Sequence, residues 1–148
     1  MLPKAINKII LIDDDADDRN IFGDAFRELK MDTELQIFSD GTELMEHLKS
    51  TCELPQLLFL DLNMPKKSGF ECLQEIRSDA KFRNISIAIY STSSSPREIE
   101  ATYKEGADLY IQKPNDYSKL KKVIREVVHK KWRHYTSGFN RETFLMGI

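Results

Sequence analysis

The sequence of 148 residues has few of the features that mark disulfide-rich, zinc-binding, membrane or dinucleotide-binding proteins. Its two cysteines, Cys52 and Cys72, belong to neither a CxxC motif nor a Cys/His cluster, which argues against a disulfide or zinc site. The longest aliphatic runs, at 9–12 and 57–60, are far shorter than a membrane span, and the N-terminus lacks a signal-peptide pattern. No GxGxxG motif occurs. We therefore expect a cytoplasmic protein without a membrane segment.

Glycine and proline are also scarce, and the balance of 41% hydrophobic and 31% charged residues is that of a soluble globular chain long enough for one domain. The net charge of −2 hides an asymmetry, because residues 113–148 carry nine basic and three acidic side chains. These lysines alternate with apolar residues at helical spacing, as on a solvated helix face. We expect no nucleic-acid partner.

Short apolar runs rich in β-forming residues alternate with stretches of helical periodicity. Five runs are typical of strands: 8–12, 34–38, 56–60, 85–90 and 107–111. This alternation predicts a doubly wound α/β fold with helices on both faces of a parallel sheet, because parallel neighbours need right-handed crossovers. In such a fold ligands bind beyond the carboxyl ends of the strands, where residues following strands one and three meet.

Capping residues and a glycine predict several of the helix boundaries. Ser68 with Glu71 has the spacing of a capping box, as do Asp40 with Glu43 and Ser95 with Glu98. Gly106 predicts the end of the fourth helix, which has few large apolar residues. We expect that helix to be the least firmly packed.

Carboxylates gather after two of the predicted strands. Five of the six residues 13–18 are aspartates, and Asp61 directly follows the third strand. Carboxylates held close together repel one another and have raised pKa values unless a cation lies among them. Asp13 and Asp14 adjoin a buried strand, where uncompensated charge is costly. We interpret them, with Asp61, as the site of a hard divalent ion such as Mg²⁺.

The remaining aspartates of this segment have a simpler interpretation. Asp17 and Asp18 are expected to cap the first helix and favour its positive end. Asp15 is expected either to be the cap or to lie near the metal.

The fourth and fifth strands also lead into polar side chains. Ser91 and Thr92 follow the fourth strand, and Lys113 precedes Pro114 after the fifth. A hydroxyl after a strand usually belongs to a turn, and a lysine there is usually solvated. Because Asp61 and the acidic pair are predicted at the same edge, the combination indicates one shared site.

Together these segments resemble the receiver domain of bacterial two-component response regulators, over residues 8 to about 130. The matching motifs are ILIDDD at 10–15, LDLNMP at 60–65 with Gly69 following, YST at 90–92 and YIQKP at 110–114. The fold expected with this resemblance is a five-stranded, flavodoxin-like sheet of strand order 2-1-3-4-5. LDLNMP and the C-terminal extension look similar to stand-alone regulators of the phytochrome-associated kind.

The resemblance implies a role for each residue of the shared site. Asp61 is implied as the phosphoacceptor, with Asp13 and Asp14 as the acidic pair. Asn63 is implied as a metal ligand through its backbone carbonyl. Lys113 is implied to contact the phosphoryl group.

The resemblance also implies the switching parts. Tyr110 is the implied switching aromatic, and the bond before Pro114 is the implied cis peptide. Receivers place their switch hydroxyl thirty residues after the acceptor and twenty-two before the lysine, and both counts lead to Ser91. Thr92 remains the alternative.

The implied function is a phosphorylation switch and not an enzyme for an external substrate. A sensor histidine kinase or histidine phosphotransfer protein would supply the phosphoryl group, and Mg²⁺ would assist its transfer to Asp61. The chain's own chemistry would be limited to self-phosphorylation from a phosphodonor and slow self-dephosphorylation. Tyr110 would then turn inward, and an unknown downstream protein would read the change.

Two alternatives belong to other classes. A metal-dependent phosphohydrolase also uses an aspartate nucleophile, but it usually has a second acid two residues later, where this chain has Asn63. The other alternative is an interaction module that works without phosphorylation.

We expect residues 1–133 to form the receiver domain and 134–148 a C-terminal extension. The extension has more apolar side chains than a free tail needs: Tyr135, Phe139, Phe144, Leu145, Met146 and Ile148. It is therefore expected to dock on its own domain or on a second copy, which would give a homodimer.

Overall fold

The computed structural model describes residues 6–130 and 144–146. Its strands are β1 Lys8–Ile12, β2 Glu34–Phe38, β3 Leu57–Leu60, β4 Ser86–Ser91, β5 Leu109–Gln112 and β6 Leu145–Met146. Its α-helices are α1 Ala16–Glu28, α2 Gly41–Ser50, α3 Gly69–Arg77, α4 Pro96–Lys104 and α5 Tyr117–Val128, with a 3₁₀ turn at Ala80–Phe82. None of the helices in these ranges is both long and apolar enough to span a bilayer.

The five predicted strands form a parallel sheet in the order 2-1-3-4-5, so the predicted fold class is confirmed. The first two strands have the predicted bounds, whereas the others shift by one or two residues. The fifth begins later because the Ala107 N–H donates to the Thr102 carbonyl at 3.0 Å, which ties residue 107 to the end of α4. Gly106, with φ of +100°, ends that helix as predicted.

The sheet has an apolar core on each face because successive side chains of its buried strands point to opposite sides. Ile10 and Ile12 belong to one core, which α2 and α3 cover, whereas Ile9 and Leu11 belong to the other. Helices α1 and α5 cover this second face. Because helices cover both faces, the polar side chains that follow the strands lie at the carboxyl edge of the sheet.

Helix caps follow the sequence pattern in part. Ser68 and Glu71 form the complete capping box at the start of α3. Asp40 instead accepts from the Thr42 N–H, one position earlier than a capping box requires. Helix α4 contributes Thr102 alone as a fully buried residue, in agreement with its predicted weak packing.

A short piece of the C-terminal extension lies against the receiver-like fold. Phe144 is 2% exposed, and its ring centroid lies 5.2 Å from that of Tyr103 and 6.2 Å from that of Tyr110. Strand β6 follows directly and extends the sheet beside β5. Phe144 therefore docks on its own domain, as one of the two predicted arrangements. The predicted boundary between 133 and 134 lies outside the described residues.

Candidate functional site

Backbone pairing brings Asp13 and Asp61 to the same edge of the sheet. Ile12 is in register with Leu60, so the residues that follow the two strands are neighbours. The Asp61 N–H donates to the Ile12 carbonyl at 3.1 Å, and the Asp13 N–H donates to the Phe38 carbonyl at 3.2 Å. These ladder bonds fix both carboxylates where strands one and three end.

The carboxylates converge as the sequence predicted. Asp13, Asp14 and Asp61 each offer an oxygen within 4.8 Å of the others. Asp13 and Asp61 are buried, whereas Asp14 is exposed. Burial and the charge of Asp13 raise the pKa of Asp61 to about 7, against the weaker opposing effects of Lys113 and the Asn63 N–H. The negative charge of Asp13 and Asp61 is therefore only partly balanced by nearby positive charge.

In the described part of the chain, Lys113 forms the ion pairs with both buried carboxylates. Its Nζ lies 2.8 Å from Asp13 Oδ2, 2.8 Å from Asp18 Oδ2 and 3.8 Å from Asp61 Oδ1. It also lies 5.3 Å from the centroid of the Tyr90 ring. Burial lowers the pKa of Lys113, but its hydrogen bonds to Asp13 and Asp18 and the nearby Asp61 charge raise the pKa overall. The lysine therefore stays protonated.

The two hydroxyl candidates differ in their surroundings. Ser91 is the last residue of β4 and is fully buried, whereas Thr92 is exposed. The Ser91 Oγ accepts from the Ser93 N–H at 3.1 Å, and the Ser91 carbonyl accepts from the Lys113 N–H at 2.7 Å. Ser91 is thus tied to the lysine's own backbone.

Tyr110 already points inward in this structure. It is completely buried, and its hydroxyl donates to the Ser93 carbonyl at 2.9 Å. Burial raises the pKa of Tyr110, although hydrogen bonding to Ser91 and Ser93 acts in the opposite direction. A continuous set of contacts therefore runs from Ser91 through Ser93 to Tyr110 and on to Phe144.

Two further predicted features lie at Asn63 and at the bond before Pro114. Asn63 is exposed, and its N–H hydrogen-bonds to the Asp61 carboxylate. The cis peptide predicted before Pro114 is absent, because every peptide bond in the described part of the chain is trans. An X–Pro bond intrinsically favours trans by about 0.5–1 kcal/mol, which agrees with the trans geometry of the bond before Pro114.

Two functional features escaped the sequence interpretation. The first is the contact of the Asp18 side chain with Lys113, since Asp18 was expected to cap α1. The cap is Asp15, in one of the two roles predicted for it, and its carboxylate accepts from the Asp18 N–H at 3.0 Å. Gly69 is the second, since a Cβ there would lie 2.0 Å from the Asp61 carbonyl oxygen. Its place shortly after LDLNMP was the available signal, and the close approach appears only in three dimensions.

Residues 9–125 match the family model of the response regulator receiver domain. The chain belongs to this family. The match covers most of the chain and includes every residue of the site described above. This receiver is accordingly a component of two-component signal transduction, as its motifs predicted, and the comparisons give the phosphohydrolase alternative no support.

Individual relatives agree with the family match. The receiver is 29% identical to the response regulator Rcp1 of Synechocystis sp. over 124 residues, which cover 80% of this chain and 84% of that protein. It is 28% identical to the chemotaxis protein CheY1 of Helicobacter pylori, over 82% of this chain and 96% of that protein.

Solved structures give the same result. The phosphorylated cyanobacterial phytochrome response regulator RcpA is 31% identical with a TM-score of 0.76, over 83% of this chain and 91% of that one. The Mn²⁺-bound form of Rcp1 is 28% identical with a TM-score of 0.74, over 82% of this chain and 91% of that one. The predicted similarity to phytochrome-associated regulators is confirmed by RcpA.

The acidic pocket of this receiver fits a divalent cation. Three carboxylates offer oxygen ligands within 4.8 Å of one another, and oxygen is the donor that Mg²⁺ and Mn²⁺ accept in proteins. Two of these carboxylates are buried with Lys113 as their cation, so a net negative charge remains for a metal to balance. The donor set therefore agrees with a hard divalent ion.

Proposed function

We propose that Asp61 is the phosphoacceptor and that a phosphohistidine on a sensor histidine kinase or histidine phosphotransfer protein is the donor. The observation that carries this proposal is the position of Asp61. It is 4% exposed at the end of β3, within 4.8 Å of Asp13 and Asp14 oxygens and 3.8 Å from Lys113 Nζ. A nucleophile, candidate metal ligands and a cation thus meet at one strand end.

The chemistry is an in-line phosphoryl transfer to a carboxylate. An Asp61 oxygen attacks the phosphorus as the phosphorus–nitrogen bond of the donor breaks, and an acyl phosphate forms. Asp13, Asp14 and Asp61, with the Asn63 carbonyl, would hold Mg²⁺, which when bound supplies positive charge against these carboxylates and the transferring oxygens. Lys113 and Ser91 bind the phosphoryl oxygens of the product. The chain acts on itself alone, and it later loses the group slowly to water.

The switch uses the contacts that lead away from Asp61. The Ser91 hydroxyl would donate to the phosphoryl oxygens, and because its oxygen also accepts the Ser93 N–H, a rotation of the Ser91 side chain toward the phosphoryl group would shift the loop after β4. Ser93 also holds the Tyr110 hydroxyl, which carries the change to α4 and β5. The Tyr110 ring is already buried in this structure. Phosphorylation would therefore shift the population of conformations of the loop after β4 without moving that ring inward. A downstream protein reads the α4 and β5 face.

An intact-mass experiment tests the assignment of the phosphoacceptor. Acetyl phosphate with Mg²⁺ is expected to add one base-labile phosphoryl group to the wild type, whereas Asp61→Asn adds none because it lacks the nucleophilic oxygen. Asp17→Asn is the matched control, since Asp17 is exposed and is not an ion-pair partner of Lys113. Labelling of Asp61→Asn at the wild-type rate contradicts the proposal. Partner binding that is unchanged in Asp61→Asn would favour the phosphorylation-independent module.

The proposal also covers the extent and association of the chain. Residues 1–133 act as the receiver in the cytoplasm, and 134–148 add a surface for self-association. The support is Leu145, which is 51% exposed on β6 next to the buried Phe144. An apolar side chain so placed favours contact with a second copy.

Light scattering tests the role of this extension. The full-length chain is expected to be a dimer, and a chain that ends at Arg133 is expected to be a monomer. Leu145→Asp should also weaken the dimer, because it introduces charge on the exposed edge while leaving Phe144 in place. A monomeric full-length protein, or a dimer that persists after truncation, contradicts this part of the proposal.

A further inference from the structure

Among the described residues, Asp18 is the one acidic partner of Lys113 that comes from outside the Asp13, Asp14 and Asp61 cluster. It lies in the first turn of α1, and its Oδ2 is 2.8 Å from Lys113 Nζ. The bond joins residues that are 95 positions apart in the sequence. By contrast, the nearest Asp61 oxygen is 3.8 Å from the same ammonium. The lysine is therefore closer to Asp18 than to the candidate phosphoacceptor.

The surroundings restrict where the lysine can go. Its side chain is 10% exposed, and the Tyr90 ring lies 5.3 Å from Nζ. The Lys113 N–H is bonded to the Ser91 carbonyl at 2.7 Å, which fixes the base of the side chain. Within this limited space the ammonium is divided between Asp13, Asp18 and, at longer range, Asp61.

The Asp18 carboxylate is not needed as the cap of its helix. Asp15 fills that position and accepts the Asp18 N–H at 3.0 Å, so the Asp18 side chain is free to turn toward Lys113. Asp17, its neighbour, is exposed and places an equal charge in the same first turn without reaching the lysine. Contact with Lys113 is thus the property that separates the two aspartates.

We propose that Asp18 is a positioning residue that holds Lys113 away from the phosphoryl group and competes with the phosphoryl oxygens for its ammonium. This inference rests on the proposed role of Asp61. A doubly charged phosphoryl group must draw Lys113 from Asp18 before the lysine can bind it fully. Asp18 therefore weakens binding of the phosphoryl donor, and its removal strengthens that binding.

Acetyl phosphate as the donor gives the first readout. In Asp18→Asn the half-saturating concentration of acetyl phosphate is expected to fall by about threefold to tenfold relative to Asp17→Asn. This range corresponds to the modest free energy of one partly exposed ion pair, which the phosphoryl donor no longer has to break. The limiting rate should change by less than about twofold, since the nucleophile is untouched. Asp18→Glu, which keeps the carboxylate, should return the half-saturating concentration toward the wild-type value.

The second readout needs no phosphorylation. Trace acetylation by acetic anhydride, followed by peptide mass spectrometry, measures the reactivity of Lys113. Loss of the Asp18 contact should raise that reactivity by about threefold or more, because the Lys113 side chain, 10% exposed in the ion pair, is no longer held against Asp18 and becomes more accessible to the reagent. Asp17→Asn should leave it unchanged.

Both changes in Asp18→Asn alone, with recovery in Asp18→Glu, support the positioning role. Equal behaviour of Asp18→Asn and Asp17→Asn overturns it, as does a rise in Lys113 reactivity with no change in half-saturation. A wild-type chain that takes no phosphoryl group at all, while Lys113 reactivity still responds, overturns the proposed function and the positioning role with it.

Discussion

The two ends of the parallel sheet use polar residues in opposite ways. The amino end has a cavity of about 480 Å³, lined by Asn7, Lys8, Glu34, Cys52, Glu53 and Leu54. Its polar groups bond to one another: Lys8 Nζ donates to the Glu53 carbonyl at 2.9 Å, and the Gln56 side chain accepts the Lys8 N–H at 2.9 Å. The charged side chains of this lining are not buried, since Glu34 and Glu53 are exposed and Lys8 is half-buried.

The carboxyl end has the reverse balance. Asp13 and Asp61 are buried together, and burial next to that charge raises the pKa of Asp61 to about 7. Lys113 is shared among three aspartates and cannot neutralise them all. The difference teaches that concavity alone does not identify the functional end of this sheet. Unbalanced buried charge does, because carboxylates held close together without enough positive charge favour the binding of a metal cation.

The largest effect on stability is expected at Gly69, which lies against the backbone at the carboxyl end of the sheet. A Cβ there would lie 2.0 Å from the Asp61 carbonyl oxygen and 2.8 Å from Leu62 Cα, which are backbone atoms that cannot yield cheaply. Gly69→Ala should therefore lower the free energy of unfolding by about 3 kcal/mol or more, measured by urea denaturation.

Gly23 provides the control for that substitution. An added Cβ would meet the flexible Arg27 side chain at 3.3 Å, and the position lies inside α1, where alanine is favoured by up to about 1 kcal/mol. Gly23→Ala should leave stability unchanged or raise it. Equal losses in the two variants would show that the approach of Gly69 to Asp61 has no special cost.

A second prediction compares the two ends directly through metal binding. Mg²⁺ at about one hundred times its dissociation constant should stabilise the wild type by about 2.7 kcal/mol, because the unfolded chain has no site. Asp14→Ala should abolish this gain, whereas Glu53→Ala at the amino end should retain it. Thermal unfolding with and without Mg²⁺ measures the difference. A gain that survives in Asp14→Ala would remove Asp14 from the site.

The smallest effect concerns pH in the metal-free protein. Folded Asp61 keeps its proton to about pH 7, whereas the unfolded chain releases it near pH 4. The unfolded state thus binds fewer protons between these values, so this group's contribution to stability falls as pH rises through the window. Relative to Asp61→Asn, the wild type should lose about 1–3 kcal/mol between about pH 4.5 and pH 7.5 in urea titrations with EDTA. A relative gain over that range would refute the assigned direction.

Local patterns were good predictors where one interaction dominates. The first two strands have the predicted bounds, and the Ser68 capping box and the Gly106 helix end occur as their residue types indicate. Predictions failed where distant parts of the chain compete. Asp18 looked like a helix cap, yet its side chain turns to a lysine 95 residues away.

The sequence alone determined the family, the alternation of strands and helices, and the set of side chains at the carboxyl edge, because motif spacing and hydrophobic period are local properties. Tertiary structure decided how those side chains share their charges. It divided Lys113 between Asp13 and Asp18, buried Tyr110 beneath Phe144, and pressed Gly69 against Asp61. Such contacts depend on distances and burial across the sheet, which the order of residues does not express.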